Sequence, residues 1–478
     1  MNEKQEEKFI RFTTAPVGGL ICRMAVPTII SMMITAIYNM ADTFFVGQLQ
    51  SNSATGAIGV AFSLMAVLQA IGFFFGQGSG NYIARQLGKQ RTEDAEIMAA
   101  TGAVLAFATG LVILALGQIF LEPLCYLLGA TETILPYAKD YIRWILVGAP
   151  YIMASFVLNN QLRFQGSAFH GMIGIATGAI VNIALDPLLI FGFGLGVSGA
   201  AIATIVSQFL SFLLLLGGTY RKGNLPFRIR NVRLRGEIFL QICRGGFPSL
   251  LRQGLMSLAT IALNHAAAVY GDAAIAAMSV VSRAMGMALS ALIGFGQGFQ
   301  PVCGFNYGAG LYDRVKRGFW FCVGVSTAAL VLLSGVGIVF APQIIAIFRD
   351  DPEVVAFGAR AMRFQCGTFL LGGFVMMGNM MTQTMGKTLQ ASVLAAARQG
   401  LFFIPAVLIL PRFFGATGVQ IAQSVSEVLS FALAVPLIVG VLRGMDKINS
   451  APSPDGAATD RGGARYYMQK GKQDGKDV

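Results

Sequence analysis

From Val17 to Leu442 the chain consists of long apolar stretches separated by short polar turns. A helix needs about 20 mostly apolar residues to cross the hydrocarbon core of a bilayer. Inside that core only helices and closed barrels satisfy every backbone polar group. The stretches predict helices over residues 17–47, 54–83, 95–118, 137–162, 168–192 and 197–220, then 238–268, 274–305, 316–340, 354–384, 388–411 and 416–442. The expected fold class is an all-α polytopic membrane protein of twelve transmembrane helices. Only 12% of the residues are charged, against about a quarter in a soluble globular chain, so no sizeable soluble domain fits.

The formal net charge of +12 is a matter of topology. Basic residues occupy alternate loops: Arg85, Lys89 and Arg91, then Arg163, then the run "YRKGNLPFRIRNVRLRGE", then Arg314, Lys316 and Arg317, then Lys387. The intervening loops are nearly free of Lys and Arg, so the positive-inside rule places the basic set and both termini in the cytoplasm. This implies a multi-pass protein of the cell's inner (plasma) membrane, and no nucleic-acid partner. Residues 1–16 read as a cytoplasmic N-terminal segment, 221–237 as a basic cytoplasmic linker, and 446–478, rich in Pro, Gly, Ser and charge, as a disordered cytoplasmic tail. Six dispersed cysteines form no CxxC pair and suggest neither a disulfide framework nor a metal site. The first apolar stretch is too long for a signal-peptide core and has no evident cleavage site, so it reads as a retained anchor.

An internal repeat with a period near 220 divides the chain. "ICRMAVP" at 21–27 recurs as "ICRGGFP" at 242–248, "FGQG" at 75–78 recurs at 295–298, and "NNQLRFQG" at 159–166 is echoed by "NMMTQTMG" at 379–386. "GVSGAAIATIVSQFLSF" at 196–212 pairs with "GATGVQIAQSVSEVLSF" at 415–431. The expected units are an N-lobe over 17–220 and a C-lobe over 238–445, each of six helices. An even number gives both lobes the same orientation, an arrangement common in secondary transporters.

Ionisable groups inside membrane segments are functional candidates by default. Setting aside loop and helix-end acids, they are Asp42 in the first predicted helix, Asp186 in the fifth and Glu427 in the twelfth. Tyr38, Asn39 and Asp42 share one side of their helix, and Pro27 continues the same stripe, where its missing N–H makes a kink plausible. Asn182 and Asp186 are also spaced i, i+4, and Pro187 frees a carbonyl one turn back. With Thr204 they offer hard oxygens suited to Na⁺ or to a proton relay. Given the expected topology, Asp42, Asn182, Asp186 and Thr204 fall at one depth in the N-lobe.

The repeat positions in the other lobe are Ala262 or Leu263, Ile404 or Pro405, and Gln423, so the carboxylate pair is not duplicated. Two such carboxylates in low dielectric cannot both ionise easily. They can hold H⁺, Na⁺ or a cationic substrate in competition, which is the physical basis of antiport. The bland readings are an interfacial helix-end acid for Asp42 and interhelical glue for Asn182 and Asp186. Glu427 invites a structural ion pair with Arg398 or Arg283, or serves as a second polar point on a substrate path. His265 reads as an interior hydrogen-bonded residue or a proton carrier. No Walker A, HExxH or nucleophile-elbow sequence occurs. The chain is therefore not expected to be an enzyme or to need a cofactor, and any active transport must draw on an ion gradient.

The stretches "AVPTIISMMITAIYNMADTFFVGQL", "ARQLGKQ", "NNQLRFQG", "NIALDPLLIFGFGLGVSGAAIATIVSQ" and "GFNYGAG" resemble the multidrug and toxic compound extrusion (MATE) family, in its DinF- and MepA-like prokaryotic branch. The resemblance spans all twelve predicted helices. It implies two six-helix lobes in a V shape, alternating access, and antiport of cationic or hydrophobic small molecules against H⁺ or Na⁺. It also implies an ion or proton site at Asp42, Asn182, Asp186 and Thr204, with Tyr38, Tyr141 and Asn159 or Asn160 lining the same cavity, and a helix kink at Pro27. One departure stands out: "RQGLMSLATIALNHAAAVYG" has no acid before Asp272, so the C-lobe cation site of the NorM-like branch is not expected. The expected working form is a monomer in the lipid bilayer. A flippase for lipid-linked precursors and a passive channel or sensor are the alternatives on the same helical architecture.

Overall fold

The computed structural model describes residues 3–48 and 52–450, without the side chains of 39–44, 46–47, 52, 54–55 and 449–450. The first half comprises α1 (Glu3–Thr14), α2 (Val17–Gly47), α3 (Asn52–Gly88), α4 (Thr92–Ile119), α5 (Leu121–Leu127), α6 (Leu135–Phe164), α7 (Ala168–Pro187) and α8 (Gly196–Thr219). The second comprises α9 (Gly236–Ala268), α10 (Asp272–Gly308), α11 (Tyr312–Val339), α12 (Ala341–Phe348), α13 (Pro352–Phe369), α14 (Gly372–Thr384), α15 (Thr388–Ala396), α16 (Phe403–Phe414) and α17 (Ala416–Ser450). No strand occurs among the described residues.

The twelve predicted segments are all helical, and the all-α, twelve-helix, two-lobe class is borne out. Among the described residues ten helical segments are individually long and apolar enough to span a bilayer. The other two predicted spans fall short for local reasons. α9 carries Arg252, Gln253, Asn264 and His265 in its middle and last turns, and the tenth predicted helix breaks at Leu370 and Leu371 into α13 and α14. The last helix continues to Ser450, five residues into the segment expected to be disordered, and the remainder of that tail lies outside the described residues.

Helix contacts divide the chain into two units. Val26–Gly246 and the segment ending at Phe9 form one, and Ile10–Ala25 joins the chain from Phe247 onward in the other. The first half of α2 therefore belongs with the second unit, not with the N-lobe of the sequence expectation. Gly298 admits the Ala25 backbone and Gly318 faces Val17 and Ile21. Phe12 stacks on Phe305 at 4.5 Å between ring centroids. Asn306 Nδ2 donates to the Phe12 carbonyl, and Arg314 Nη2 donates to the Ala15 carbonyl at 2.6 Å. The unit boundary falls one residue before Pro27, and α2 runs through that proline as one helix. Ser31 Oγ donates to the Pro27 carbonyl at 2.9 Å.

Small residues set the helix spacing inside the first unit. Gly110 lies against the backbone of Pro150, and Gly102 against Ser79, so α4 meets α6 and α3 at distances a side chain would forbid. The "NNQLRFQG" stretch ends α6 in a polar clamp. Gln161 Nε2 donates to Ser79 Oγ and to the Ala99 carbonyl, and Gln165 Oε1 accepts the Leu225 N–H at 2.7 Å. Lys8 Nζ on α1 donates to the Gln165 carbonyl, Ser167 Oγ and Asn224 Oδ1. The linker rests on α4, with Asn231 Nδ2 donating to Glu96 Oε2 at 3.0 Å.

Candidate functional site: an acid cluster behind an apolar cavity

On α7 the i, i+4 spacing stacks Asn182 above Asp186, and both side chains are fully buried at 0% exposure. Asn182 Nδ2 donates to Asp186 Oδ1 at 3.3 Å and to Thr204 Oγ1 of α8 at 3.4 Å. The Asn182 carbonyl oxygen Oδ1 is buried without a hydrogen-bond partner. As an acceptor it is free to take a hydrogen bond from a water or another proton-bearing group, or to face a cation. Pro187 closes α7, and the chain continues through one π turn, Leu188–Gly192, a form concentrated at functional sites. Gly199 of α8 lets that turn approach: a Cβ there would stand 2.7 Å from the Leu189 carbonyl oxygen.

A cavity of about 340 Å³ lies within the same unit, lined among others by Tyr38, Met65, Gln69, Ser155, Asn159 and Gln208. Tyr38, Phe62 and Met65 also border a chamber of about 30 Å³ that Tyr141 and Thr204 complete. Asn182 and Asp186 line neither space. The acid therefore sits behind Thr204, two hydrogen bonds from the wall of the chamber by way of Asn182. Tyr141 is 3% exposed.

Of the two asparagines expected to line the cavity, only Asn159 does so. Asn160 turns into helix packing, where its Oδ1 accepts from Arg163 Nη2 at 2.6 Å and from Gln77 Nε2 at 3.3 Å. Asn39 and Asp42 lie on α2 beyond Tyr38, but their side chains are outside the described residues. The structure thus brings Tyr38, Tyr141, Asn159, Asn182, Asp186 and Thr204 into one region.

In the second unit the expected ion pair forms with Arg398. Its Nε stands 2.5 Å from Glu427 Oε1, which also accepts from Gln423 Nε2 at 3.3 Å. Glu427 is 1% exposed and its Oε2 has no hydrogen-bond partner. Arg398 lies on a π turn, Ala397–Leu401, and Ser426 Oγ donates to its carbonyl. Arg283 and His265 are exposed, and His265 lines none of these spaces, so the interior reading of that histidine does not hold. Sequence reasoning weighed intramembrane acids and missed an intramembrane base, Arg252. The signal was available: Pro248 and Arg252 repeat the spacing of Pro27 and Ser31.

A duplicated bundle of membrane-crossing helices, with a buried polar cluster beside a cavity in each half, is the arrangement of a membrane transporter. The MatE family model matches residues 27–188 and 248–409, and the chain belongs to that family. The two matches begin at Pro27 and Pro248, the equivalent positions of the repeat. Relatives include the multidrug export protein MepA of Staphylococcus saprophyticus, 28% identical over 95% of this chain and 100% of that one. The protein of the same name in Staphylococcus aureus strain NCTC 8325 is 28% identical over 92% of this chain and 97% of its own length. A solved structure described as the outward-facing conformation of a multidrug resistance MATE family transporter is 24% identical, with a TM-score of 0.86 over 92% of this chain and 98% of that one. These relatives bear out the resemblance read from the sequence.

Proposed function

We propose that the protein is a secondary multidrug exporter that exchanges cationic, amphipathic compounds for H⁺ or Na⁺ by alternating access. One observation carries this reading: a fully buried membrane carboxylate, Asp186, is linked through Asn182 and Thr204 to a small chamber that shares Tyr38, Phe62 and Met65 with a mostly apolar cavity in the same unit. The MepA relatives, which bear the name multidrug export protein, support the choice of cargo. Burial penalises the charged carboxylate. The cluster is stable when the charge is neutralised by a proton, or matched by Na⁺ held between the Asp186 carboxylate, Asn182 Oδ1 and Thr204 Oγ1. These are hard oxygen donors of the kind alkali and alkaline-earth cations take. Asp42, one helical turn beyond Tyr38, completes the cluster in this reading.

A cationic compound in the cavity contacts Tyr38 and, through the chamber, Thr204. Its charge makes the positive occupant of the acid cluster unfavourable, and the converse holds, so the two loads exclude one another. Coupling of this kind requires only that each load stabilise a different conformational population. The protein works as a monomer in the inner (plasma) membrane, with both termini cytoplasmic.

Ethidium efflux from proteoliposomes, measured separately under an imposed proton gradient and an imposed sodium gradient, tests the proposal. At least one gradient drives efflux in the unaltered protein, and Asp186→Asn or Asp42→Asn abolishes that drive. Efflux that ignores both gradients, or that survives both substitutions, contradicts it.

A further inference from the structure

The second unit carries a cavity equivalent to the first, with charged side chains in its wall where the first has none. Tyr38, Met65, Ala66 and Asn159 line the first cavity. Their repeat partners Ala259, Met285, Gly286 and Asn379 line two adjoining spaces in the second unit, of about 300 and 80 Å³. These two spaces share Met256, Leu289, Arg398 and Gln399 and so form one compartment. The duplication preserved the cavity, and in the second unit its wall carries charge. On the stripe where α2 has Pro27, Ser31, Tyr38 and Asp42, α9 has Pro248, Arg252, Ala259 and Leu263. The compartment therefore holds two guanidinium groups, Arg252 and Arg398, and one carboxylate, Glu427.

Two of those three charges neutralise each other. Arg398 and Glu427 are paired at 2.5 Å, and Gln423 steadies the carboxylate. Arg252 has neither an ion pair nor a hydrogen bond among the described residues. It sits mid-way along α9, at the edge of a compartment bordered by Leu289, Ile293, Met376, neutral amides and the ion-paired Arg398. A cation inside a membrane segment is retained at a cost unless a partner of opposite sign is supplied. The compartment thus carries one net positive charge and has room for an apolar body.

We propose that this compartment is a second ligand site, which takes an amphipathic compound bearing a singly charged anionic head group, a carboxylate or a phosphodiester. The anion is held by Arg252, whose planar fork suits bidentate recognition of either group. The closed Arg398–Glu427 pair forms a neighbouring, electrically neutral wall, which leaves one positive charge for one anionic group. Methionine and leucine side chains accept bodies of varied shape. The site is independent of the acid cluster in the first unit and requires no gradient to fill.

Three fluorescent probes that differ only in their charged end provide the test: dansyl-6-aminohexanoate (anion), dansyl-lysine (zwitterion) and dansylcadaverine (cation). Binding is measured by fluorescence anisotropy to the full chain in phosphatidylcholine nanodiscs, without any gradient. The anionic probe binds at least about tenfold more tightly to the unaltered protein than to Arg252→Gln, and this substitution leaves dansylcadaverine binding unchanged or stronger. Arg412→Gln, an exposed residue of the same unit, leaves all three affinities unchanged. Because Arg252 has no partner to orphan, Arg252→Gln keeps the apparent Tm of the parent or raises it.

Phosphatidylglycerol added to the nanodiscs identifies the source of the anion. Displacement of the probe assigns the site to a lipid head group, and no displacement assigns it to a soluble compound. The inference is overturned if Arg252→Gln weakens all three probes equally, or if anionic and cationic probes bind the unaltered protein within about twofold of each other through Arg252-independent contacts. Efflux under a gradient is not needed for either outcome, so failure here leaves the exporter reading standing.

Discussion

Asn182 uses a single amide nitrogen to hold both Asp186 and Thr204, and its carbonyl oxygen remains without a partner in a fully buried setting. Replacing it with Leu keeps the volume and removes the link between acid and chamber. Gradient-driven efflux by Asn182→Leu therefore falls at least about tenfold, while the protein still reaches the membrane in normal amount, as an immunoblot of membrane fractions would establish. Glu427 makes a contrasting case. Losing one partner of a buried ion pair costs about 3–5 kcal/mol, whereas replacing both with apolar groups is often neutral. Glu427→Gln accordingly lowers the apparent Tm in detergent well below that of the double variant Arg398→Met/Glu427→Met. Equal losses in the two would mean the pair is not the source of the effect. The acids were legible in the sequence because a carboxylate is conspicuous in an apolar segment. Asn160 was not distinguished from Asn159, because one residue of helical rotation decides between cavity and packing, and only tertiary contacts reveal it.

At the scale of elements, the turn that follows Pro187 positions the acid cluster. Gly199 holds it by close approach, whereas Gly217, on the same helix, faces open space. Overpacking a tight contact costs about 1–3 kcal/mol, so Gly199→Ala lowers both apparent Tm and efflux. Gly217→Ala leaves efflux intact and, by helix propensity, holds or raises stability. The repeat partner of Gly199 is Gly418, which meets the Leu410 backbone in the same way. The helices themselves were legible from apolar length. The breaks were less so: the π turns at Leu188–Gly192 and Ala397–Leu401 lie at different registers in the two halves, and composition does not mark a one-residue insertion in a helix. The sequence marks residues 1–16 only as a cytoplasmic segment, not as the helix α1. Its burial of Phe9, Phe12 and Thr13 follows a helical period, but the charged residues around them mask it.

For the whole molecule, duplication explains how two equivalent cavities come to differ in charge. A cavity scaffold was copied and its charges diverged, Ser31 and Asp42 standing opposite Arg252 and Leu263. The repeat was legible from four short anchors, whereas the reassignment of Ile10–Ala25 to the second unit was not. It depends on close packing at Gly298 and on the hydrogen bonds from Arg314. The loop charges also predict an orientation that can be measured. In a background carrying Cys22→Ser, which removes the one exposed cysteine among the six, a membrane-impermeant maleimide labels Val269→Cys in intact cells. It labels Lys222→Cys only after permeabilisation, and the reverse pattern would invert the topology.

The central claim is that cargo and coupling cation exclude one another at the acid cluster, and ion release on binding tests it most directly. Purified protein in weakly buffered detergent solution is titrated with ethidium while a pH electrode and a sodium electrode follow the medium. The account predicts that binding releases H⁺ or Na⁺ in near-stoichiometric amount from the unaltered protein and none from Asp186→Asn. Saturable ethidium binding with no release of either ion would contradict it.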